Sequence, residues 1–218
     1  MKNIKVNKNI LDRQNSQSLI NKELFRKENI FVINLMSSPG SGKTTFLETI
    51  LPALLKKYRV GVIEGDMQGD ADLKRISKFK IQSYQINTQS MCHLDSFMIS
   101  KALKTFQLKK LDLLIIENIG NLICPADFDL GEDEKFTMIS VSEGDDKVMK
   151  YPIMFRNADV VLLNKIDLLK YSNFNKNKFY PDIKKINAKS AVFEISSLKK
   201  IGIEEVVEYI GKRMEGKK

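Results

Sequence analysis

Little in this chain could cross-link it, carry it through a membrane or draw it onto a polyanion. Among 218 residues there are two cysteines, Cys92 and Cys124, and a single histidine, His93. Two thiols cannot build the disulfide framework of a small secreted domain. No apolar run approaches the roughly 20 residues of a membrane span, and the opening MKNIKVNKNI is too polar for a signal peptide. A soluble, cytoplasmic protein is the expectation. The net charge is +9, yet no run of five basic residues occurs, and the lysines are scattered among many asparagines. That is a broad compositional bias rather than the focused patch that binds nucleic acid or an anionic membrane. Neither is expected as a partner.

What is present is globular: 43% hydrophobic and 29% charged residues, in a chain long enough for one α/β domain with a full core. Short apolar runs alternate with helical periodicities. Strands are predicted at 30–36, 59–64, 83–87, 111–117, 136–141, 160–164 and 191–196, and helices at 44–57, 93–106 and 203–213. This order implies a doubly wound, mostly parallel sheet with helices on both faces. Residues 171–178 read as an Asn/Lys-rich loop. Residues 1–29 read as a leading helix or arm on a main domain at 30–218, or else as a tail without fixed structure.

The sequence Ser37-Ser38-Pro39-Gly40-Ser41-Gly42-Lys43-Thr44 falls between a predicted strand and a predicted helix, the setting of a P-loop. Gly40 and Gly42 let backbone N–H groups close on phosphates, and the following helix presents its positive end to them. Lys43 is placed to neutralise the β- and γ-phosphates and Thr44 to offer its hydroxyl to Mg²⁺. With Pro39, Ser41 and Thr45 these residues form the candidate phosphate site. Ser37 stands where the usual pattern begins with glycine.

Asn164-Lys165-Ile166-Asp167 follows the apolar strand at 160–164. A carboxylate at Asp167 can accept both N1–H and the exocyclic amine of guanine, whereas adenine would leave it unpaired. Such a site rejects the wrong base strongly. Lys165 can lie along the base and ribose, Asn164 can hold the loop, and Ser196-Ser197-Leu198 is the expected second base loop. The nucleotide is therefore GTP or GDP, and Asp167 argues against a small-molecule kinase.

Two acidic strand ends, Glu64-Gly65-Asp66 and Glu117-Asn118-Ile119-Gly120, point toward the same crevice. Asp66 is favoured as the water- or metal-positioning group and Glu117 as the acidic group after the central strand. Lys43, Thr44, Asp66 and Glu117 are the candidate catalytic set, with Thr44, Asp66 and Glu117 around Mg²⁺ and the Gly120 amide near the γ-phosphate. Asp70 and Asp72 read as surface residues, although Asp72 is close enough in sequence to belong to a switch. No glutamine stands out as a water-orienting residue.

The three soft ligands remain. Cys92 and His93 are expected at the start of a helix, and Cys124 just past the strand at 111–117. Thiolate and imidazole suit Zn²⁺ or Ni²⁺. Three ligands leave a sphere to be completed by water, Asp95 or a second subunit. Chemistry alone leaves a transferable metal site and a pair of buried thiols beside a structural histidine both open.

From about residue 30 onward, the segments SSPGSGKTT, EGD, CHLD, IENIGNLICPADFDLGE, SEGDDK, KYP and NKIDLL resemble the HypB family of nickel-incorporation GTPases, of the SIMIBI class. The block at 117–132 is the most specific; related urease-accessory GTPases share the P-loop and NKxD without it. The resemblance implies hydrolysis of GTP to GDP and phosphate, nickel insertion into NiFe-hydrogenase, and a nucleotide-dependent homodimer. It places Ni²⁺ or Zn²⁺ on Cys92, His93 and Cys124 at the dimer interface. It implies a hydrogenase large-subunit precursor and a nickel-delivering accessory protein as partners. A urease-type accessory GTPase and a nucleic-acid-associated GTPase are the rival readings. The chain departs from the family in having neither an N-terminal cysteine motif nor a histidine-rich stretch, in lacking the glycines of TGxGCHLDA, and in carrying Gly69 where a threonine is frequent.

Overall fold

The computed structural model describes residues 5–89 and 91–217, with side chains from residue 12 onward. Residues 1–4 of the predicted arm, and Ser90 within the 88–96 segment, lie outside the described residues. Helix α1 (Lys5–Lys27) leads into β1 (Phe31–Ser37), α2 (Lys43–Leu54), β2 (Val60–Asp66), α3 (Ala71–Ser77), β3 (Gln82–Asn87), α4 (Ser96–Leu103) and β4 (Leu113–Glu117). Then come β5 (Glu134–Ser140), α5 (Lys147–Lys150), α6 (Pro152–Arg156), β6 (Val160–Asn164), α7 (Lys176–Ile186), β7 (Ala191–Glu194) and α8 (Ile203–Lys217).

The seven strands form one sheet in the order β3-β2-β4-β1-β5-β6-β7, and every pairing is parallel. Every residue of β1, β4 and β6 is buried, as a sheet covered on both faces requires. One face packs Phe46, Leu47 and Ile50 of α2 with Val206 and Ile210 of α8. The other face carries two groups: Phe25 with Ile99 and Leu103 of α4, and Met154, Phe155, Phe179 and Ile183 around α6 and α7. The mostly parallel, doubly wound prediction holds, and the sheet is wholly parallel.

Two predicted elements change. The helix expected at 93–106 spans only Ser96–Leu103, because Asp95 adopts an extended conformation and its carboxylate accepts the Met98 N–H at 2.8 Å. That cap fixes the start. Leu94 is fully buried, but from the loop before the helix, so Cys92 and His93 are loop residues rather than helix-start residues. The loop expected at 171–178 is shorter: a 3₁₀ turn covers Ile166–Tyr171, and Asn175 caps α7 through its side chain. Polar composition concealed that helix, which buries only Phe179 and Ile183.

Helix α1 is held by polar contacts as well as apolar ones. Asn21 is buried and donates to the carbonyls of Ser96 (2.9 Å) and Leu130 (3.1 Å), and Gln14 bridges the Ser96 amide and the Asp129 carbonyl. Gly131, at φ +96°, lies where a Cβ would stand 2.8 Å from the Lys22 nitrogen and the Ser18 carbonyl oxygen. Both the conformation and the close approach require glycine. Gly131→Ala is expected to destabilise the protein by more than about 1 kcal/mol in urea unfolding; an unchanged midpoint would contradict this docking.

Candidate functional site

The P-loop leaves β1 and enters α2. Gly40 and Gly42 sit at φ +74° and +102°, and a Cβ on Gly42 would meet the Asn164 amide nitrogen at 2.7 Å. The serine in place of the usual first glycine is accommodated: Ser37 is fully buried, donates to the Ser38 carbonyl at 2.6 Å and accepts from Lys43 Nζ at 3.0 Å. Outside the turn, Glu143 accepts from the hydroxyls of Ser38 and Ser41, buttressing a loop whose N–H groups must stay free to converge on an anion.

Beside the P-loop lies a crevice of about 390 Å³ lined by Gly40, Gly42, Lys43, Thr44, Thr45, Asp72, Arg75, Glu117 and Lys165. Asp66 is not among these residues. Its carboxylate accepts the Gln68 N–H at 3.4 Å and its carbonyl accepts the Thr88 N–H at 2.9 Å. The register explains the difference. Glu64 of β2 stands opposite Glu117 of β4, so Asp66 projects beyond the end of β4, where it pairs only with Asn87 of β3. Asp72, read from the sequence as a surface residue close enough to belong to a switch, reaches the crevice from α3 together with Arg75, which sequence reading passed over. Arg75 is oriented by Glu48 (2.5 Å), Thr45 (3.0 Å) and Asp72 (3.4 Å).

Thr44 donates to Glu117 Oε1 at 3.0 Å. Glu64 and Glu117 are 2% and 4% exposed, and each leaves one carboxylate oxygen, Glu64 Oε1 and Glu117 Oε2, buried without a partner. Burial, then the neighbouring Glu117 charge, push the Glu64 carboxyl up to about 10. Burial also raises Glu117, against the pull of Lys43. Two adjoining buried carboxyls with orphaned oxygens beside a hydroxyl match the oxygen set of a hard dication. Gly120, just beyond, packs on the P-loop itself: a Cβ there would lie 2.9 Å from Pro39 Cα.

At the other side of the P-loop the two predicted base loops meet. Ser196 donates to Asp167 Oδ1 at 2.5 Å, and Ser197 donates through N–H and hydroxyl to Asn164 Oδ1, each at 3.0 Å. The Asn164 amide donates to the Ser41 carbonyl (2.8 Å) and Lys165 Nζ to that of Gly40 (2.7 Å). A bridge between Ser196 and Ile201 closes the second loop and leaves Leu198 exposed.

Cys92, His93 and Cys124 come together although 32 residues separate the thiols in sequence. Their ligand atoms all lie within 4.8 Å of one another, with the sulfurs 2.7 Å apart and Cys92 Sγ 3.8 Å from His93 Nδ1. The His93 ring stacks on Phe128 at 3.9 Å, and burial lowers its pKa, which keeps the imidazole neutral and its lone pair available. The Cys92 contact raises the Cys124 thiol pKa. Asp95, considered above as a fourth ligand, is instead engaged in capping α4. This donor set suits a soft or borderline divalent ion in an incomplete coordination sphere.

The sequence profile of the CobW/HypB/UreG nucleotide-binding domain matches residues 31–194. The chain belongs to the CobW/HypB/UreG family. Within it, HypB proteins are close relatives. The Helicobacter pylori J99 hydrogenase/urease maturation factor HypB is 41% identical over 90% of this chain and 82% of its own length. The Escherichia coli K12 hydrogenase maturation factor HypB is 41% identical over 95% of this chain and 71% of its own. The fold is similar to that of Helicobacter pylori HypB in complex with nickel, at a TM-score of 0.89 and 38% identity, covering 94% of this chain and 96% of that one. Archaeoglobus fulgidus HypB superposes at a TM-score of 0.87 with 36% identity, covering 93% and 99%. The signal recognition particle 54 kDa protein of Aeropyrum pernix, at 14% identity, a TM-score of 0.57, and 86% and 49% coverage, shares the fold alone.

The carboxyl pair makes stability depend on pH. Glu64 holds its proton more tightly in the folded state than at its ordinary value of 4.5, so its contribution is fully present below that value and is lost as pH rises toward about 10. Thermal melting without divalent metal is expected to show falling stability between about pH 6 and 9. Glu64→Gln should flatten that slope, and an equally steep slope in this variant would contradict the assignment.

Proposed function

We propose that this chain is a GTP-hydrolysing metallochaperone that assists nickel insertion during NiFe-hydrogenase maturation. One observation carries the reading: the three soft ligands converge on loops that leave the same sheet edge as the nucleotide carboxylates. Membership of the family and the nickel complex of the Helicobacter pylori relative support it.

In this reading Asp167 pairs with guanine and Ser196 holds its carboxylate in place. Lys165 flanks the base while tying its loop to the P-loop. The P-loop amides from Gly40 to Thr45 and the Lys43 ammonium gather the phosphates, and Arg75 adds positive charge from α3. Thr44, Glu117 and Glu64 would hold Mg²⁺, which would offset charge on the β- and γ-phosphates. Gly120 keeps the loop carrying Cys124 against Pro39, so a change at the γ-phosphate reaches Cys124 through packed backbone. Ni²⁺ is the cargo on Cys92, His93 and Cys124, and Zn²⁺ is chemically suited to the same donors.

A nucleotide-dependent homodimer is part of the proposal. Leu168 and Tyr171, 38% and 76% exposed, lie on the same 3₁₀ turn as Asp167. A second copy seated there would respond to base occupancy. A hydrogenase large-subunit precursor and a nickel-delivering accessory protein are the proposed partners, in the cytoplasm, where the two free thiols stay reduced. No helix among the described residues is long and apolar enough to cross a membrane. The hydrogenase/urease names of the Helicobacter relatives favour urease as a second recipient class.

Asp167→Asn is expected to lower the preference for GTP over ATP by at least about 100-fold, read as a ratio of kcat/KM values. Equal turnover of GTP and ATP by the unmodified protein would defeat the guanine assignment. Cys92→Ala and Cys124→Ala should each weaken Ni²⁺ binding by at least about tenfold in chelator competition while leaving GDP affinity unchanged. Unaltered Ni²⁺ affinity in both variants would defeat the cargo site.

A further inference from the structure

Between the two sites lies a buried polar side chain that has no place in either. Asn118 directly follows Glu117 and is 1% exposed. Its Oδ1 accepts from the amides of Leu94 (3.1 Å) and Ile119 (2.9 Å). Its Nδ2 donates to Asn34 Oδ1 at 3.2 Å, and Asn34 donates in turn to Glu132 at 3.1 Å. Asn34 belongs to β1, the strand that runs into the P-loop. Glu132 is anchored by the Leu130 N–H at 2.6 Å.

The two amides on Oδ1 have particular positions. Leu94 is the residue after His93, at the root of the loop carrying Cys92 and His93. Ile119 begins the loop carrying Gly120 and Cys124. One carbonyl oxygen thus gathers the roots of both metal-bearing loops, on a residue covalently joined to the carboxylate that receives the Thr44 hydroxyl. Packing supports the same joint: a Cβ on Gly65, beside Glu64, would meet Leu94 Cδ1 at 2.8 Å and the Glu117 carbonyl oxygen at 3.0 Å. A buried carboxamide that makes three hydrogen bonds is a stiff connector, because losing any one bond strands a buried polar partner.

We propose that Asn118 is the positioning residue that couples the nucleotide site to the cargo-metal ligands. A shift of Glu117 on exchange of GDP for GTP carries Asn118 with it, and Oδ1 passes the shift to the amides of Leu94 and Ile119. The spacing of Cys92 and His93 relative to Cys124 then changes. The proposal rests on the nickel-insertion reading above.

The test is a coupling measurement on the full chain. Ni²⁺ affinity is determined by competition with a chromophoric chelator, once with GDP and once with a non-hydrolysable GTP analogue. The unmodified protein is compared with Asn118→Ala and with Asn118→Thr, whose side chain is too short to reach both amides. Melting curves and GDP affinity establish that each variant is folded; if alanine does not fold, threonine supplies the answer. The unmodified protein is expected to show at least about a fivefold difference in Ni²⁺ affinity between the two nucleotide states. In the folded variants that ratio should fall to within about twofold of unity, with GDP affinity unchanged. A folded variant that keeps the full ratio would overturn the role of Asn118 and leave the metal-insertion reading intact. Equal Ni²⁺ affinity in both states of the unmodified protein would remove the coupling itself, and this proposal with it.

Discussion

Glu64 and Glu117 stand opposite each other where β2 and β4 end, almost sealed from water, with Thr44 donating to one of them. Two carboxyls so placed cannot both ionise at low cost without a cation. Burial favours a proton on the pair, and the same oxygens suit a hard dication. The P-loop lies on this pair through Thr44, α3 brings Asp72 and Arg75 to the same crevice, and the loop after β4 leaves directly from Glu117. The electrostatics of one strand register therefore govern how several loops are held.

Hard and soft chemistry are separated by only a few residues of chain. Oxygen donors cluster at the strand ends and sulfur and imidazole donors cluster on the loops beyond them, two donor sets suited to different kinds of ion. The route between them is short and packed. Gly120 rests on Pro39, Leu94 rests on Gly65, and Asn118 ties the loop roots together. Side chains this tightly fitted have few intermediate arrangements, which favours discrete states over gradual adjustment.

Helix α1 contributes to that rigidity. Asn21 and Gln14 engage the Ser96 and Leu130 backbone, so the start of α4 and the segment ending at Glu132 are both held from behind. The Cys92–His93 loop is consequently suspended between an anchored helix cap at Asp95 and the Asn118 carboxamide. The same cap engages Asp95 and leaves Cys92, His93 and Cys124 as an incomplete donor set.

Much of this was legible from residue order. Apolar runs such as Leu113–Glu117 and Val160–Asn164 announce buried parallel strands, and a Gly-Lys-Thr between strand and helix, with Asn-Lys-x-Asp at a later strand end, declares a guanine nucleotide site, because each motif is local and its chemistry depends on a few adjacent residues. Other features had no local signature. That Glu64 rather than Asp66 stands opposite Glu117 depends on where β2 aligns with β4, a relation between strands separated by about fifty residues of chain. Arg75 and Asp72 reach the crevice only because α3 docks beside α2. The length of α4 was decided by one carboxylate, Asp95, that caps the helix. Sequence by itself determined the sheet, the nucleotide and the set of soft ligands. Only the tertiary structure decided which carboxylates pair, that the two thiols meet, and which buried amide stands between the sites, because each of these is fixed by long-range register and packing.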